Sequence, residues 1–147
     1  MNCSNLKTCV LSNNIQEILE RTFCHCESLE SIIIPDSVTS IGADAFSYCF
    51  SLESVTISGS ITSINMGAFM HCESLSEIIC LATKPITFDL VVFDDLPSTG
   101  ILKVPAGSNT GLEGQLPEGW TVEYIGEVPP STPEQWNSWV DLGLPSG

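Results

Sequence analysis

Basic residues are almost missing from this chain: 4 Lys+Arg stand against 18 Asp+Glu in 147 residues, a formal charge of −14. A surface field of that sign repels phosphate and anionic lipid, which argues against nucleic acid and acidic membranes as partners. Charge of either sign is scarce, at 15% of residues against the roughly 25% usual in globular proteins. With 43% hydrophobic residues, the composition is that of a folded chain, not of a disordered acidic tail. Long apolar runs are lacking too: none approaches the ~20 residues that cross a bilayer. Met1 is followed by Asn2, Cys3, Ser4 and Asn5, so the chain as given is read as carrying neither anchor nor leader peptide. There is room for one domain of about 100–150 residues plus a short appendage.

What the chain has instead is a period. Phe23, Phe46 and Phe69 are evenly spaced along the sequence, each followed after three by Cys26, Cys49 and Cys72 and after six by Leu29, Leu52 and Leu75. Cys3 and Leu6 carry the register one unit back, and the columns Cys9/Ile32/Val55/Ile78, Leu11/Ile34/Ile57/Cys80, Ile15/Val38/Ile61 and Ile18/Ile41/Ile64 agree with it. Within a unit, Leu29, Ile32 and Ile34 mark a half-buried strand. Pro35, Asp36 and Ser37 turn the chain. Val38 and Ile41 make a second short extended piece ending at Gly42, and 43–46 reads as one helical turn that drives Phe46 inward. A single unit cannot bury its apolar side, but stacked units pair strand to strand and share one core. The fold class expected is α/β: a right-handed solenoid of 23-residue units with parallel β-strands and short helical turns.

The string Ser28-Leu29-Glu30-Ser31-Ile32-Ile33-Ile34-Pro35-Asp36-Ser37-Val38-Thr39-Ser40-Ile41-Gly42, then Ala45-Phe46 and Cys49, resembles the leucine-rich repeats of the BspA-like family, found in many bacterial surface proteins and some protozoan ones. The resemblance covers about residues 1–127. Asn65 in place of Gly42 and the run Ile79-Cys80-Leu81 in place of an Ile-Pro step depart from it, and they bear on the third turn's geometry, not on the fold. Phe93 arrives one residue later than the period demands, and Leu102-Lys103-Val104-Pro105 repeats the strand-then-Pro signature with the same displacement. Four glycines and the alternating strand at 120–125 follow, so 86–127 reads as a divergent last unit and cap. In the family, a Val-Pro-Ala-Gly-Ser segment, here 104–108, commonly opens such a closing section. The first unit lacks its Phe, so the chain reads as cut from something longer. Residues 128–135 read as a Pro-rich linker, and 136–147 either as the truncated start of a following module or as a flexible tail.

Seven cysteines and two histidines invite a metal reading. Zinc needs four converging ligands, and neither C-x-x-C nor C-x-x-H pairs occur. His25 and His71 fall two units apart, about 10 Å by strand spacing, with Tyr48 between, so one ion cannot bind both. No metal or cofactor is expected. The ladder of Cys3, Cys26, Cys49 and Cys72 is close enough for disulfides but is better read as reduced core thiols. Cys9 and Cys80 read as core substitutes, and Cys24 as the most exposed thiol. Ser28, Ser51 and Ser74 recur as small turn residues with no base in the pattern, and pairs such as Asp94-Asp95 or Glu27-Glu30 read as a solvated acidic face. Catalytic residues are therefore not assigned.

Surface remains. Thr8, Ser31, Ser54 and Glu77 form one outward column of the strands, and Val10, Ile33, Thr56 and Ile79 the next, unusually apolar for solvent. Glu30 and Glu53 run beside it, and Phe50 sits among Glu27 and Glu73. These residues (Val10, Ile33, Thr56, Ile79, Glu30, Glu53 and Phe50) are the candidate binding surface, because parallel strands of a solenoid present an extended sheet to a partner. The family resemblance implies a secreted or cell-surface adhesion module that recognises an extracellular protein or glycan. The alternative is a structural spacer displaying the following module. An open half-unit at the start also suits end-to-end self-association.

Overall fold

The structure, a computed structural model, is described over residues 6–125. Ten strands occur among them: β1 Thr8–Val10, β2 Glu17–Ile18, β3 Ser31–Ile33, β4 Ser40–Ile41, β5 Ser54–Ile57, β6 Ser63–Ile64, β7 Glu77–Cys80, β8 Thr87–Phe88, β9 Thr99–Val104 and β10 Gly119–Tyr124. Odd-numbered strands and β10 form a six-stranded sheet in the order β1-β3-β5-β7-β9-β10, while β2-β4-β6-β8 form a second sheet. All pairing is parallel, and each residue of a central coil stands beside its equivalent one period on: Cys9 beside Ile32, Ile32 beside Val55, Val55 beside Ile78. The chain is a parallel leucine-rich-repeat solenoid. The proposed linker and tail over 128–147, and Cys3, lie outside the described residues.

The interior is the stack of equivalent side chains that the period requires. Phe23 and Phe46 lie ring on ring at 5.1 Å, Phe46 and Phe69 at 5.1 Å, and Phe69 and Phe93 at 5.4 Å, each pair within 7° of parallel. That spacing follows the strand separation of about 4.7–4.9 Å. Leu29, Leu52, Leu75, Ile41 and Ile64 fill the space between the sheets and are fully buried. The cysteines have a specific role there. Cys49 Sγ donates to the Phe23 carbonyl at 3.1 Å and Cys72 Sγ to the Phe46 carbonyl at 3.2 Å, so each thiol ties its coil to the one before. Among the described residues no disulfide joins Cys9, Cys24, Cys26, Cys49, Cys72 and Cys80 to one another. Cys24 is half-buried, as Cys9 is, with its sulfur 3.3 Å from Ser47 Oγ.

The expected helical turn over 43–46 is absent; a chain of tight turns replaces it. Residues at two positions per unit take positive φ: Arg21, Asp44, Gly67 and Val91 (60°, 54°, 65°, 52°), then His25, Tyr48, His71 and Asp95 (62°, 61°, 60°, 60°). The backbone bonding shows why. An α-helix uses its N–H groups internally, but here alternate ones reach the next coil: Arg21 to Ala43 O, Phe23 to Ala45 O and His25 to Ser47 O, at 2.7–2.9 Å. The intervening N–H groups close four-residue turns, Thr22 to Leu19 O, Cys24 to Arg21 O and Cys26 to Phe23 O. Each coil thus gains a third ladder at the expense of a helix. The third turn is undistorted by Asn65, whose N–H bonds Ile41 O at 3.0 Å as Gly42 N–H bonds Ile18 O.

The register slips once. Ile57 still stands beside Cys80, one full period on, but Ser63 stands beside Thr87, one residue further than the period, so the extra residue lies between Cys80 and Thr87. The last coil is shorter. β10 pairs β9 with Gly119 beside Thr99, and a turn of 3-10 helix, Leu112–Gln115, stands where other coils place a second strand. Trp120 lays its indole over Gly100, where a Cβ would sit 2.6 Å from the ring, and donates Nε1–H to Pro97 O at 2.9 Å.

Candidate binding surface

With the inside filled, the chemistry open to solvent lies on the outward columns of the six-stranded sheet. The register places Thr8, Ser31, Ser54, Glu77, Ile101 and Thr121 in one row and Val10, Ile33, Thr56, Ile79, Lys103 and Glu123 in the next. Val10 is 97% exposed and Ile33 54%. Alternation along the strand points Thr56 at solvent, yet only 8% of it is accessible. A short side chain one strand spacing from two longer branched ones, Ile33 and Ile79, is covered by them. Ile79 is itself half-buried, packed with Ile125 against Leu81 on the outside of the sheet. The repeat pattern does not reveal that small outer cluster: Leu81 breaks the repeat's Ile-Pro step, and Ile125 belongs to the closing coil.

Glu30 and Glu53 enter the strands on neighbouring coils, Glu53 N–H bonding Glu30 O at 2.8 Å, and both are exposed. Among the described residues, no cation lies within ion-pair distance of either. Lys103 is held by Glu77 at 3.1 Å, and Arg21 lies 3.9 Å from both Glu20 and Asp44. Phe50 is not with the strand residues. It is half-buried, its ring edge-on to Tyr48 at 6.0 Å. It belongs to a separate aromatic ladder on the turn wall, where His25 stacks on Tyr48 at 4.5 Å and Tyr48 on His71 at 4.6 Å. His71 Nδ1 lies 3.1 Å from Asp95 Oδ2. The one-residue slip puts Asp95 in this column, a contact the plain 23-residue register does not predict.

Of the candidate residues, Val10, Ile33 and Thr56 line one open cleft of about 610 Å³, together with Pro35, Ser58 and Leu81. Its walls also include Asp36 and Ser37, from the turn after β3. The Ser37 hydroxyl is buried without a hydrogen-bond partner. Burial pushes the Cys80 thiol up to about 11 and raises Cys72 well above its ordinary value, with Cys49 beside it adding to the effect. Such thiols stay protonated and are poor nucleophiles. Among the described residues, no group of three or more His, Cys, Asp or Glu side chains is placed to hold a metal ion, and no helix is long and apolar enough to cross a membrane.

Comparison with known proteins agrees with the repeat. The model of the BspA type leucine rich repeat region matches residues 1–102 in 6 copies. No protein with a curated description matches the sequence significantly. The crystal structure of a leucine rich cell surface protein from Faecalibacterium prausnitzii A2-165 is similar at 27% identity and a TM-score of 0.43, over 78% of this chain and 32% of that one. The chain thus spans about a third of the length of that protein. A strict sequence period, a continuous phenylalanine stack and the family match over residues 1–102 lead to one conclusion: the chain belongs to the BspA-type leucine-rich repeat family.

Proposed function

We propose that this solenoid is a non-catalytic binding module of a bacterial cell-surface protein, and that its strand face recognises an extracellular protein or glycan. The observation that carries the reading is the exposure of Val10 and Ile33 on a parallel sheet, beside carboxylates at Glu30 and Glu53 that no cation among the described residues neutralises. Aliphatic surface rimmed by charge is what a partner covers with gain. The occurrence of the family in bacterial surface proteins supports the location and the adhesive role. Buried thiols with raised pKa, and serines that recur as turn residues, support the absence of catalysis.

The test is capture of partners from a panel of extracellular matrix proteins and surface glycans by the native chain and by a triple variant, Glu30→Lys, Glu53→Lys and Ile33→Asp. Loss of capture by the variant, with its circular dichroism unchanged, is expected. Undiminished capture removes the strand face from the proposal. A second reading, a stiff spacer, is favoured by the unbroken ring stack from Phe23 to Phe93. It predicts no capture by the native chain at all.

A further inference from the structure

We infer that the cleft bordered by Val10, Ile33 and Asp36 is a socket for one lysine or arginine side chain, presented by an extended peptide segment of a partner protein. The inference rests on the reading of the strand face as a binding surface and narrows it to one chemistry.

The cleft, of about 610 Å³, runs along the first two coils: residues 8–11, 13 and 31–37 supply most of its lining, and Thr56, Ser58 and Leu81 border it on the next coils. That volume lies within the range of ligand sites and holds a long side chain with its adjoining backbone. Val10 and Ile33 offer aliphatic surface at one end, which suits the methylene stem of lysine or arginine. Asp36 is the one charged residue lining the cleft; it is exposed, and no cation among the described residues pairs with it. An ammonium or guanidinium group carries several N–H donors and satisfies both oxygens of an exposed carboxylate. Aromatic side chains, the usual platforms for sugar rings, are absent from the cleft lining, which favours a peptide over a glycan. A net charge of −14 draws cationic segments toward the module.

The experiment uses the full 147-residue chain, labelled with nitrogen-15. Acetylated and amidated hexapeptide mixtures with Lys, Arg, norleucine or Glu fixed at one central position are titrated in, and the amide signals of Ile33, Thr56 and Ser58 are followed. The Lys and Arg sets are expected to shift these signals. The norleucine set, with a neutral stem of similar length, binds roughly tenfold more weakly, and the Glu set does not bind. Asp36→Asn, an exposed change that leaves the core untouched, brings the Lys set down to the norleucine level without weakening norleucine itself.

Equal binding of the Lys and norleucine sets overturns the socket, as does a Lys preference that survives Asp36→Asn. Shifts of these amides by a mixture of soluble oligosaccharides, with none by peptides, also overturn it while leaving the strand face as a binding surface. The wider reading fails separately, when the Glu30, Glu53 and Ile33 triple variant captures partners as well as the native chain.

Discussion

The central coils and the closing coil solve the same problem in opposite ways. From Phe23 to Phe69 the core is closed by repetition: each ring rests on an equivalent ring about 5.1 Å away, and the Cys49 and Cys72 thiols each bond the carbonyl one coil back. After Phe93 no further ring joins the stack. Among the described residues, the six-stranded sheet ends on single devices: an indole seated on Gly100, a buried Leu112 in one turn of 3-10 helix, and the Leu81–Ile125 contact outside. Repetition spreads stability over interchangeable positions, whereas a cap concentrates it on a few that have no equivalents. In a solenoid, where each coil touches only its neighbours, both kinds of closure are needed.

The largest test of the repeated half is Phe46→Ala. This ring is fully buried and sits between two others, so its removal opens a cavity flanked by Phe23 and Phe69 and costs about 3–5 kcal/mol. Urea denaturation followed by circular dichroism measures it. A loss below about 1 kcal/mol shows that the coils close over the gap, and then the stack is not the principal support.

Next comes alkaline pH, which acts on the buried thiols. The Cys80 thiol is pushed from its ordinary value near 9.0 up to about 11 by burial, so above pH 9 the unfolded chain gives up this proton before the folded one does. The folded state then binds more protons, and stability falls as pH rises. The contribution is fully present below about pH 9 and is lost through about pH 11, roughly 2–3 kcal/mol for this thiol. Cys72, raised well above its ordinary value, moves in the same direction. Urea midpoints measured from pH 8 to 11 are expected to decline, and Cys80→Val is expected to flatten the decline.

These two tests also separate what is legible in the sequence from what is not. The phenylalanine stack can be read directly, because equal spacing along a chain becomes adjacency once identical coils pile up. The turn over 43–46 cannot. The same residues suit a helical turn when considered alone, and what overrides it is the row of carbonyls on the next coil, which exists only after stacking. Thr56 misleads for a related reason: alternation in a strand gives its direction, while its burial depends on the lengths of Ile33 and Ile79 beside it. Asp36 is visible individually, but the cleft it borders is lined from several coils, which only stacking brings together. Acidic neighbours in sequence group Phe50 with the strand residues; its ring contact with Tyr48 puts it on the turn wall.

On the cap, the corresponding test is Gly100→Ala. The added Cβ meets three atoms of the Trp120 ring at 2.6–2.7 Å, and the indole, held by Pro97 O, must shift. Overpacking of this kind costs about 1–3 kcal/mol. A urea midpoint equal to that of the native chain shows that the indole has another seat.

The smallest effect belongs to the bond that anchors the indole. Trp120→Phe keeps an aromatic ring over Gly100 but deletes the Nε1–H that reaches Pro97 O at 2.9 Å, a loss of about 1 kcal/mol. Its value lies in combination with the previous change. With the anchor gone, the ring slides away from an alanine at position 100, so the double variant Gly100→Ala with Trp120→Phe is expected to lose less than the two single losses added together. The shortfall is about 0.5 kcal/mol or more, the size expected when two residues touch. Strict additivity in the urea midpoints means the ring and the glycine do not share one seat. The same cycle built on Phe23→Leu and Phe69→Leu, two rings separated by Phe46, is expected to be additive within about 0.5 kcal/mol. Coupling concentrated at the cap and absent between alternate rings of the stack is what distinguishes closure by a single device from closure by repetition.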